Sequence, residues 1–519
     1  MNQSEIPDAS PTAKRPVVTF AAFAIVLLFQ LFAALPAMKA PGTLMDEGIL
    51  LTYPELLTKG SIPHRDYESM YPPGSIWLLS GAYAVCGTDI EVERAVGLLY
   101  QIALASAFVA LLLRWSASVA VAGGVLCVIA LLPLNLVAFA WVGASAFAVW
   151  SLVAISSSLR TELRASLAGA LAAMALTFRV DLAPAVLLSL GAYCLLARWR
   201  VRELRWMIGA AGVAFIPLLV HIALVSPTVF FASVFSKPVL TCSRGRTLPL
   251  DFSRAFVGQL YAVLLVSIGL AILAGWRAYR SQRVGGLALF VTGMFSLGAL
   301  PQALMRSDIT HLSFITPLAL PLVAASACIL FGSRLFAPLM AVASVCALLP
   351  QSTMMLKQRL TSRSFPKDEV FVLHSGDRMF PVGNVIYAKA SQDVIKRITE
   401  LSKPGETLFV GPSDLRFAMG NDLFLYHMLP WLKPHTYFLE MNPLSANKTG
   451  SRLADDVASC DWLILNSVWN SIAEPNASRV AGPAAPNDVV TQQFDMVCEK
   501  APFFIYKHRG LVTQVPDGE

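Results

Sequence analysis

The chain has 519 residues, of which 56% are hydrophobic and only 14% charged, with a mean hydropathy of +0.61. Soluble globular domains carry about a quarter of their residues as charges, so this composition excludes an ordinary soluble enzyme and indicates a polytopic α-helical membrane protein. The formal charge of +7 does not signal nucleic acid, because the basic residues cluster in short loops between apolar runs, where they set topology.

Residues 1–16 contain Pro, Ser and Asp and are expected to form a cytoplasmic tail. Apolar runs of about 17 to 25 residues are long enough to cross a bilayer. They predict about eleven spans within 17–350, near 17–36, 94–113, 117–133, 136–156, 164–179, 182–197, 206–225, 255–276, 284–303, 311–331 and 335–350. The first run is followed by Pro36-Ala37-Met38-Lys39 and not by a small-residue cleavage site, so it reads as a retained helix.

The first outer loop, 37–93, holds Met45-Asp46-Glu47-Gly48, then Gly60-Ser61-Ile62-Pro63-His64-Arg65-Asp66-Tyr67-Glu68 and Tyr71-Pro72-Pro73-Gly74. Charge held at a membrane surface is costly and usually functional. Within this loop the apolar run 74–86 is only about 13 residues long, too short to cross. With that run excluded, the inside loops collect Lys14/Arg15, Arg114, Arg160/Arg164, Arg198/Arg200/Arg202/Arg205, Arg277/Arg280/Arg283 and Arg334 against only Glu162 and Glu203. That asymmetry places the amino terminus inside and the region from 351 onward outside.

From 351 to 519 charges, Asn, Pro and Gly return, and apolar runs shorten to four or five residues. Strands are expected at 370–373, 407–410, 436–439, 462–465 and 503–506, with helices at about 390–402, 414–429 and 450–459, a small extracytoplasmic α/β domain. Of the eight cysteines, Cys460 and Cys498 fall outside, where oxidation is permitted, and an even chance of pairing is assigned to them. The chain lacks Cys-x-x-Cys, His-Glu-x-x-His, a Gly-Lys-Ser/Thr loop and Gly-x-Ser-x-Gly, which weakens hydrolase, ATPase and redox readings.

Polar groups that topology does not require crowd the outer ends of the spans. They are Asp46, Glu47, His64, Arg65, Asp66 and Glu68 in the first loop, Arg179 and Asp181, then Lys237, Arg244, Arg246 and Arg254 in the loop 227–254, and Arg306, Asp308 and His311. Acids and bases converging from four loops on one face suit a lipid-phosphate substrate. A carboxylate can activate an acceptor hydroxyl, and guanidinium groups can hold a phosphate bidentately. The competing accounts are local ion pairs for Arg179–Asp181 and Arg306–Asp308, and aromatic-belt anchoring for Tyr53, Tyr67, Tyr71 and Trp77.

The order Asp-Glu-Gly, Gly-x-Ile-Pro-x-Arg-Asp, Tyr-Pro-Pro-Gly resembles the first outer loop of GT-C glycosyltransferases, a superfamily that includes protein O-mannosyltransferases, lipid A aminoarabinose transferases and actinobacterial mannosyl- and arabinosyltransferases. The likeness covers about residues 15–100 by motif and 15–350 by topology. It implies an inverting transfer of a sugar, hexosyl or pentosyl, from a polyprenyl-phosphate donor to a cell-envelope glycan, lipid or protein. Asp46 matches the family's base and Glu47 its acidic neighbour. Where the aminoarabinose branch has Lys-Pro-Pro this chain has Tyr71-Pro72-Pro73, so that branch's donor is not carried over.

By location, Arg244, Arg246, Arg306 and Arg65 are assigned to the donor phosphate, and His64, Asp66, Glu68, Arg179, Asp181, Asp308 and His311 to substrate. No cofactor is expected beyond the lipid-linked sugar as co-substrate, and a divalent metal, which Asp46, Glu47 and Asp66 could hold, is not favoured; the partners are the lipid-linked sugar, its acceptor and the bilayer, with no nucleic acid. Two other classes compete. A secondary transporter or lipid-linked-glycan flippase would concentrate its charges near mid-membrane and in broken helices, and a non-catalytic envelope-assembly scaffold would have little use for Asp46-Glu47 beside an arginine-rich loop.

Overall fold

The computed structural model describes residues 16–251, 255–361, 369–472 and 474–510. Of the expected tail only Pro16 falls within them, and Lys14, Arg15 and Arg254 lie outside the described residues.

In lipid every backbone N–H and C=O has to be paired within its own segment, so the charge-poor runs coil into helices. Helix α1 (Pro16–Ala34) leads through a 3₁₀ turn, Leu35–Lys39, into the first loop, which contains α2 (Asp46–Thr58) and α3 (Gly74–Cys86). The bundle continues with α4 (Ile90–Leu112), α5 (Ala117–Leu131), α6 (Ala140–Ile155), α7 (Thr161–Phe178), α8 (Ala183–Leu196), α9 (Val201–Ala214) and α10 (Ile216–Val225). After the short α11 (Pro227–Phe231) come a π-helical stretch, Ala232–Cys242, and the single turn α12 (Ser243–Arg246). Then follow α13 (Ala255–Arg280), α14 (Gly286–Ala299), α15 (Pro301–Met305), α16 (Ile309–Phe331), α17 (Phe336–Leu348) and α18 (Pro350–Thr361).

Among the described residues six helices are long and apolar enough to cross a membrane, or up to eight if each of two bent pairs is one span. That is fewer than the eleven expected. Two of the expected spans are shorter apolar helices, Ala140–Ile155 and Val180–Leu196. At 1.5 Å per residue, a helix of 16 residues such as α6 reaches only about 24 Å. The run 206–225 is divided between α9 and α10, bent by 47° where Pro217 opens the second helix and supplies no N–H. A sharper bend, 99°, separates α17 from α18. Leu349 precedes Pro350 and is held out of the helical region at φ −119°, ψ 67°, as a residue before proline tends to be.

Helix α3 has 13 residues, about 20 Å at helical rise, and packs on α2 and α4. If it does not cross, single cysteines introduced at 160–164 stay protected from a membrane-impermeant maleimide added outside intact cells. Labelling there would invert the register of every later loop.

The expected loop 227–254 is largely helical. Pro238 sits inside the π stretch, a widened turn of a kind that recurs at functional sites.

Beyond 369 the outer region is an α/β unit. A hairpin, β1 (Phe371–Ser375) and β2 (Arg378–Val382), precedes the amphipathic α19 (Val385–Leu401). The rest comprises β3 (Thr407–Pro412), α20 (Phe424–Met428), β4 (Lys433–Pro434), α21 (Leu453–Ala458), β5 (Trp462–Asn466), α22 (Val468–Ser471), α23 (Ala485–Gln493), β6 (Phe494–Lys500) and β7 (Phe503–His508). The five-stranded sheet runs β4-β3-β5-β7-β6, parallel across β4, β3 and β5, with β7 antiparallel to both of its neighbours, β5 and β6.

Two elements were misread from sequence. No strand forms at 436–439, because Asp456 takes the Tyr437 N–H and the Thr436 hydroxyl takes that of Phe438. The expected helix 414–429 shrinks to α20, since Gly420 stands at φ +137° and the N–H groups of Asp414 and Leu415 are held by the Asn470 and Asn487 side chains. Cys460 and Cys498 are both free; Cys460 is buried and donates to the carbonyls of Asp456 and His435.

The outer unit is docked on α2. Leu51 of α2 shares one buried cluster with Leu423, with Phe424 and Leu425 of α20 and with Phe380. Gly48 is required at this seam, because a Cβ there would stand 2.5 Å from the Phe424 nitrogen. Arg378 fastens the contact from above, donating to both Glu55 carboxylate oxygens at 2.7 and 2.8 Å.

Candidate functional site

Asp46 and Glu47 open α2, where free N–H groups and the helix dipole favour negative charge. The two acids then part ways. Glu47 turns into the bundle and is 1% exposed; Arg94 of α4 is 3% exposed and meets it at 2.7 Å. The Thr43 N–H donates to the other Glu47 oxygen at 2.7 Å, and Arg94 donates in addition to the Met38 and Ala40 carbonyls. The catalytic expectation for Glu47 thus meets a carboxylate fully engaged in holding the first turn of α2. Changing Glu47 to Gln removes the charge that offsets a buried guanidinium. We expect stability to fall by about 1.5–3 kcal/mol, read as a lower denaturant midpoint, with turnover of the folded fraction unchanged.

Asp46 is different. It is partly accessible, and no hydrogen bond or ion pair engages its carboxylate among the described residues. Burial pushes its carboxyl pKa up, and His311 is the strongest influence pulling it back, with Arg246 adding to that pull. Glu47 and Asp308 act in the same direction as burial.

His311 and Arg246 both line a cavity of about 450 Å³. Its lining combines polar side chains, among them Tyr71, Arg179, Asp181, Arg246, Arg306 and His311, with apolar ones that include Val234, Phe235, Pro238 and Val239 of the π stretch. Asp308 caps α16 by accepting the His311 N–H at 2.8 Å and also takes His311 Nδ1 at 2.8 Å. That pairing fixes the ring and leaves Nε2 as its free nitrogen.

The cations of the cavity are not equally available. Arg179 grips Asp181 with two contacts of 3.0 and 2.6 Å and lies 3.9 Å over the Tyr71 ring. Arg306 donates to Asp308 at 2.8 Å, to the Arg246 carbonyl at 2.9 Å and to both oxygens of Glu474 from the outer unit. Among the described residues no ion pair engages Arg246: its guanidinium reaches Met70 Sδ at 2.8 Å and Asn442 Oδ1 at 3.4 Å, and the carboxylates of Asp46 and Glu440 act on it only at longer range. A desolvated cation on the wall of a cavity with only neutral contacts is ready for an anion.

The remaining expected residues lie elsewhere. Arg244 is exposed and outside the cavity lining, because residues two apart on a helical turn point about 200° apart. Arg65 and Asp66 are spent on each other in an exposed pair at 2.8 Å. His64 is buried against His221, Nδ1 to Nε2 3.0 Å, while its own Nε2 meets the Tyr71 carbonyl at 3.1 Å; burial lowers its pKa to about 4. Glu68 is fully buried, held by Lys237 at 3.1 Å and Ser445 at 2.5 Å.

Sequence reasoning missed three polar residues that meet Tyr53, Arg246 and Glu68. Glu440 and Asn442, together with Ser445, come from the outer unit. Burial raises the Glu440 carboxyl pKa; that side chain accepts from Tyr53 at 2.9 Å and from Asn442 at 3.1 Å. No local pattern marks these residues. Among the described residues no group of three or more His, Cys, Asp or Glu is placed to hold a metal ion.

No family model matches the chain, and no curated protein does. Solved structures do. ArnT from Cupriavidus metallidurans bound to undecaprenyl phosphate superposes with a TM-score of 0.54 at 13% identity, over 96% of this chain and 98% of that one. Its apo state gives 0.51 at 13% identity, over 95% and 98%. The arabinofuranosyltransferase AftD from Mycobacteria covers 98% of this chain but 41% of its own length, with a TM-score of 0.48 at 14% identity. The match to ArnT extends over bundle and outer unit together, so the GT-C-type fold expected from the first loop is the fold of this chain.

Proposed function

We propose that this protein is a membrane glycosyltransferase that moves a sugar from a polyprenyl phosphate to a hydroxyl of a cell-envelope acceptor, on the outer face and with inversion. One observation carries the reading: Asp46, a carboxylate without a hydrogen bond or ion pair among the described residues, lies within electrostatic reach of His311 and Arg246, both of which line a cavity that combines cationic and apolar side chains. An isoprenoid phosphate has that same division, with charge at its head and hydrocarbon behind. The fold shared with an ArnT bound to undecaprenyl phosphate supports the same donor class.

In the reaction, the acceptor oxygen bonds to the anomeric carbon as the bond from that carbon to the phosphate oxygen breaks. The acceptor proton passes to Asp46, and the bonding pair leaves with the phosphate. Attack from the face opposite the leaving group inverts the centre. Asp46 is suited to the base because burial raises its proton affinity toward working pH. Arg246 offsets the charge that grows on the phosphate. His311, oriented by Asp308, donates or accepts at the reacting oxygens. Arg179 and Arg306, already paired with carboxylates, shape the wall and leave Arg246 as the cation without an ion pair among the described residues.

In this reading the amino terminus lies inside, the outer unit lies outside, and α6, α7 and α8 bring the eight spans to about eleven passes. Mass spectrometry of envelope glycolipids and glycans from cells with and without the protein tests the function. A sugar-bearing species that disappears, with accumulation of its unglycosylated acceptor, names both substrates. An unchanged profile, with lipid-linked glycan stranded on the inner leaflet, would assign the chain to transport.

A further inference from the structure

Where α1 leaves the bundle there is a second cavity, of about 440 Å³, lined by Leu31, Phe32, Leu35, Pro36, Met38, Lys39 and Arg359. None of these residues lines the cavity described above. Arg359 is 5% exposed. Its donors reach the Ala33 carbonyl at 3.3 Å, the Leu132 carbonyl at 2.9 Å and Asn135 Oδ1 at 2.7 Å. Every acceptor is neutral, and among the described residues no carboxylate pairs with it. Lys39, on the rim, is exposed and also has no ion-pair partner among the described residues. Two cations therefore converge on an apolar pocket without a counter-charge, and a buried cation without one is costly.

We propose that this cavity is a lipid site that takes the anionic phosphate headgroup of a membrane phospholipid. The phosphate lies between Lys39 and Arg359, and an acyl chain runs along Leu31, Phe32 and Leu35, of which Phe32 and Leu35 are 55% and 52% exposed toward the surroundings of α1. A hydrophilic anion would gain nothing from that wall, and a neutral lipid nothing from the cations. The site adjoins the reaction centre through the chain itself: the carbonyls on either side of Lys39, those of Met38 and Ala40, accept from Arg94, and Arg94 holds Glu47, the neighbour of Asp46. A bound headgroup thus braces the loop that positions the first turn of α2.

The test is native mass spectrometry of the full-length protein, delipidated in detergent and titrated with phosphatidylglycerol, phosphatidylcholine, polyprenyl phosphate or inorganic phosphate. Wild type should retain one phosphatidylglycerol in preference to phosphatidylcholine. Lys39→Gln, a change at an exposed side chain that does not threaten folding, should weaken that adduct about fivefold, the worth of one lysine at an anionic surface. Polyprenyl phosphate should bind both proteins equally, since its proposed site is the other cavity. Equal phosphatidylglycerol retention by the two proteins overturns the proposal, as does inorganic phosphate binding as tightly as the lipid. A loss confined to polyprenyl phosphate also overturns it and assigns the cavity to the donor.

Discussion

Replacing Asp46 by Asn is expected to lower turnover by about 10²–10⁴-fold, the usual contribution of a positioned general base, with folding and donor binding close to wild type. The amide keeps the size of the carboxyl but accepts no proton. Structural damage should be small because nothing in the fold depends on this carboxylate: Glu47, not Asp46, secures the helix to Arg94. The pH profile supplies an independent reading. Only the ionised base works, so the rate rises with pH as Asp46 loses its proton, and burial displaces that limb above the ordinary range for an aspartate. The limb should vanish in Asp46→Asn. Activity within a few-fold of wild type would remove Asp46 from the mechanism.

The second large effect belongs to Arg246. Arg246→Gln should cost about 10²–10³-fold in turnover, the range for losing one donor to charge that develops in the transition state, with a weaker apparent affinity for the polyprenyl-phosphate sugar. Arg246→Lys should recover only part of it, because an ammonium cannot reproduce the planar fork. Arg244→Gln is the internal control: it removes the same charge two residues away, from a side chain exposed outside the cavity, and should change little. Kinetics in nanodiscs of neutral lipid keep surface potential out of the comparison. Equal losses at the two positions would mean that the segment acts through its field on the membrane and not through contact.

That pair of arginines shows where sequence reading stops. Both stood in a basic stretch between apolar runs, and the pattern ranked them equally; only the single turn of helix that carries them separates the one facing the cavity from the one facing solvent. Asp46 was legible because it follows the first apolar run at once and opens a motif of fixed order. Glu47 was legible as an acid but not as the partner of Arg94, 47 residues away. Glu68 and His64 were expected to face substrate, and the fold buries them against Ser445 and His221. The membrane class followed from composition alone. The number of passes did not, since apolar runs of similar length became full helices, shorter helices such as α6 and α8, or, beside Pro217 and Pro350, bent pairs. In the outer unit the buried strands β3 and β5 announced themselves as apolar runs. The segment 436–439 had the same composition, but its backbone is satisfied by side chains, which composition does not report.

Asp46 and Arg246 are proposed to act together on a polyprenyl-phosphate sugar. The most direct test of that assignment uses purified full-length protein in nanodiscs with a lipid-linked sugar fraction and an envelope acceptor fraction, and quantifies free polyprenyl phosphate released over time. Release is expected from wild type, reduced to background in Asp46→Asn and intermediate in Arg246→Lys. Release that is undiminished in Asp46→Asn, or no release by active wild-type protein while a glycan product still forms, would contradict that assignment.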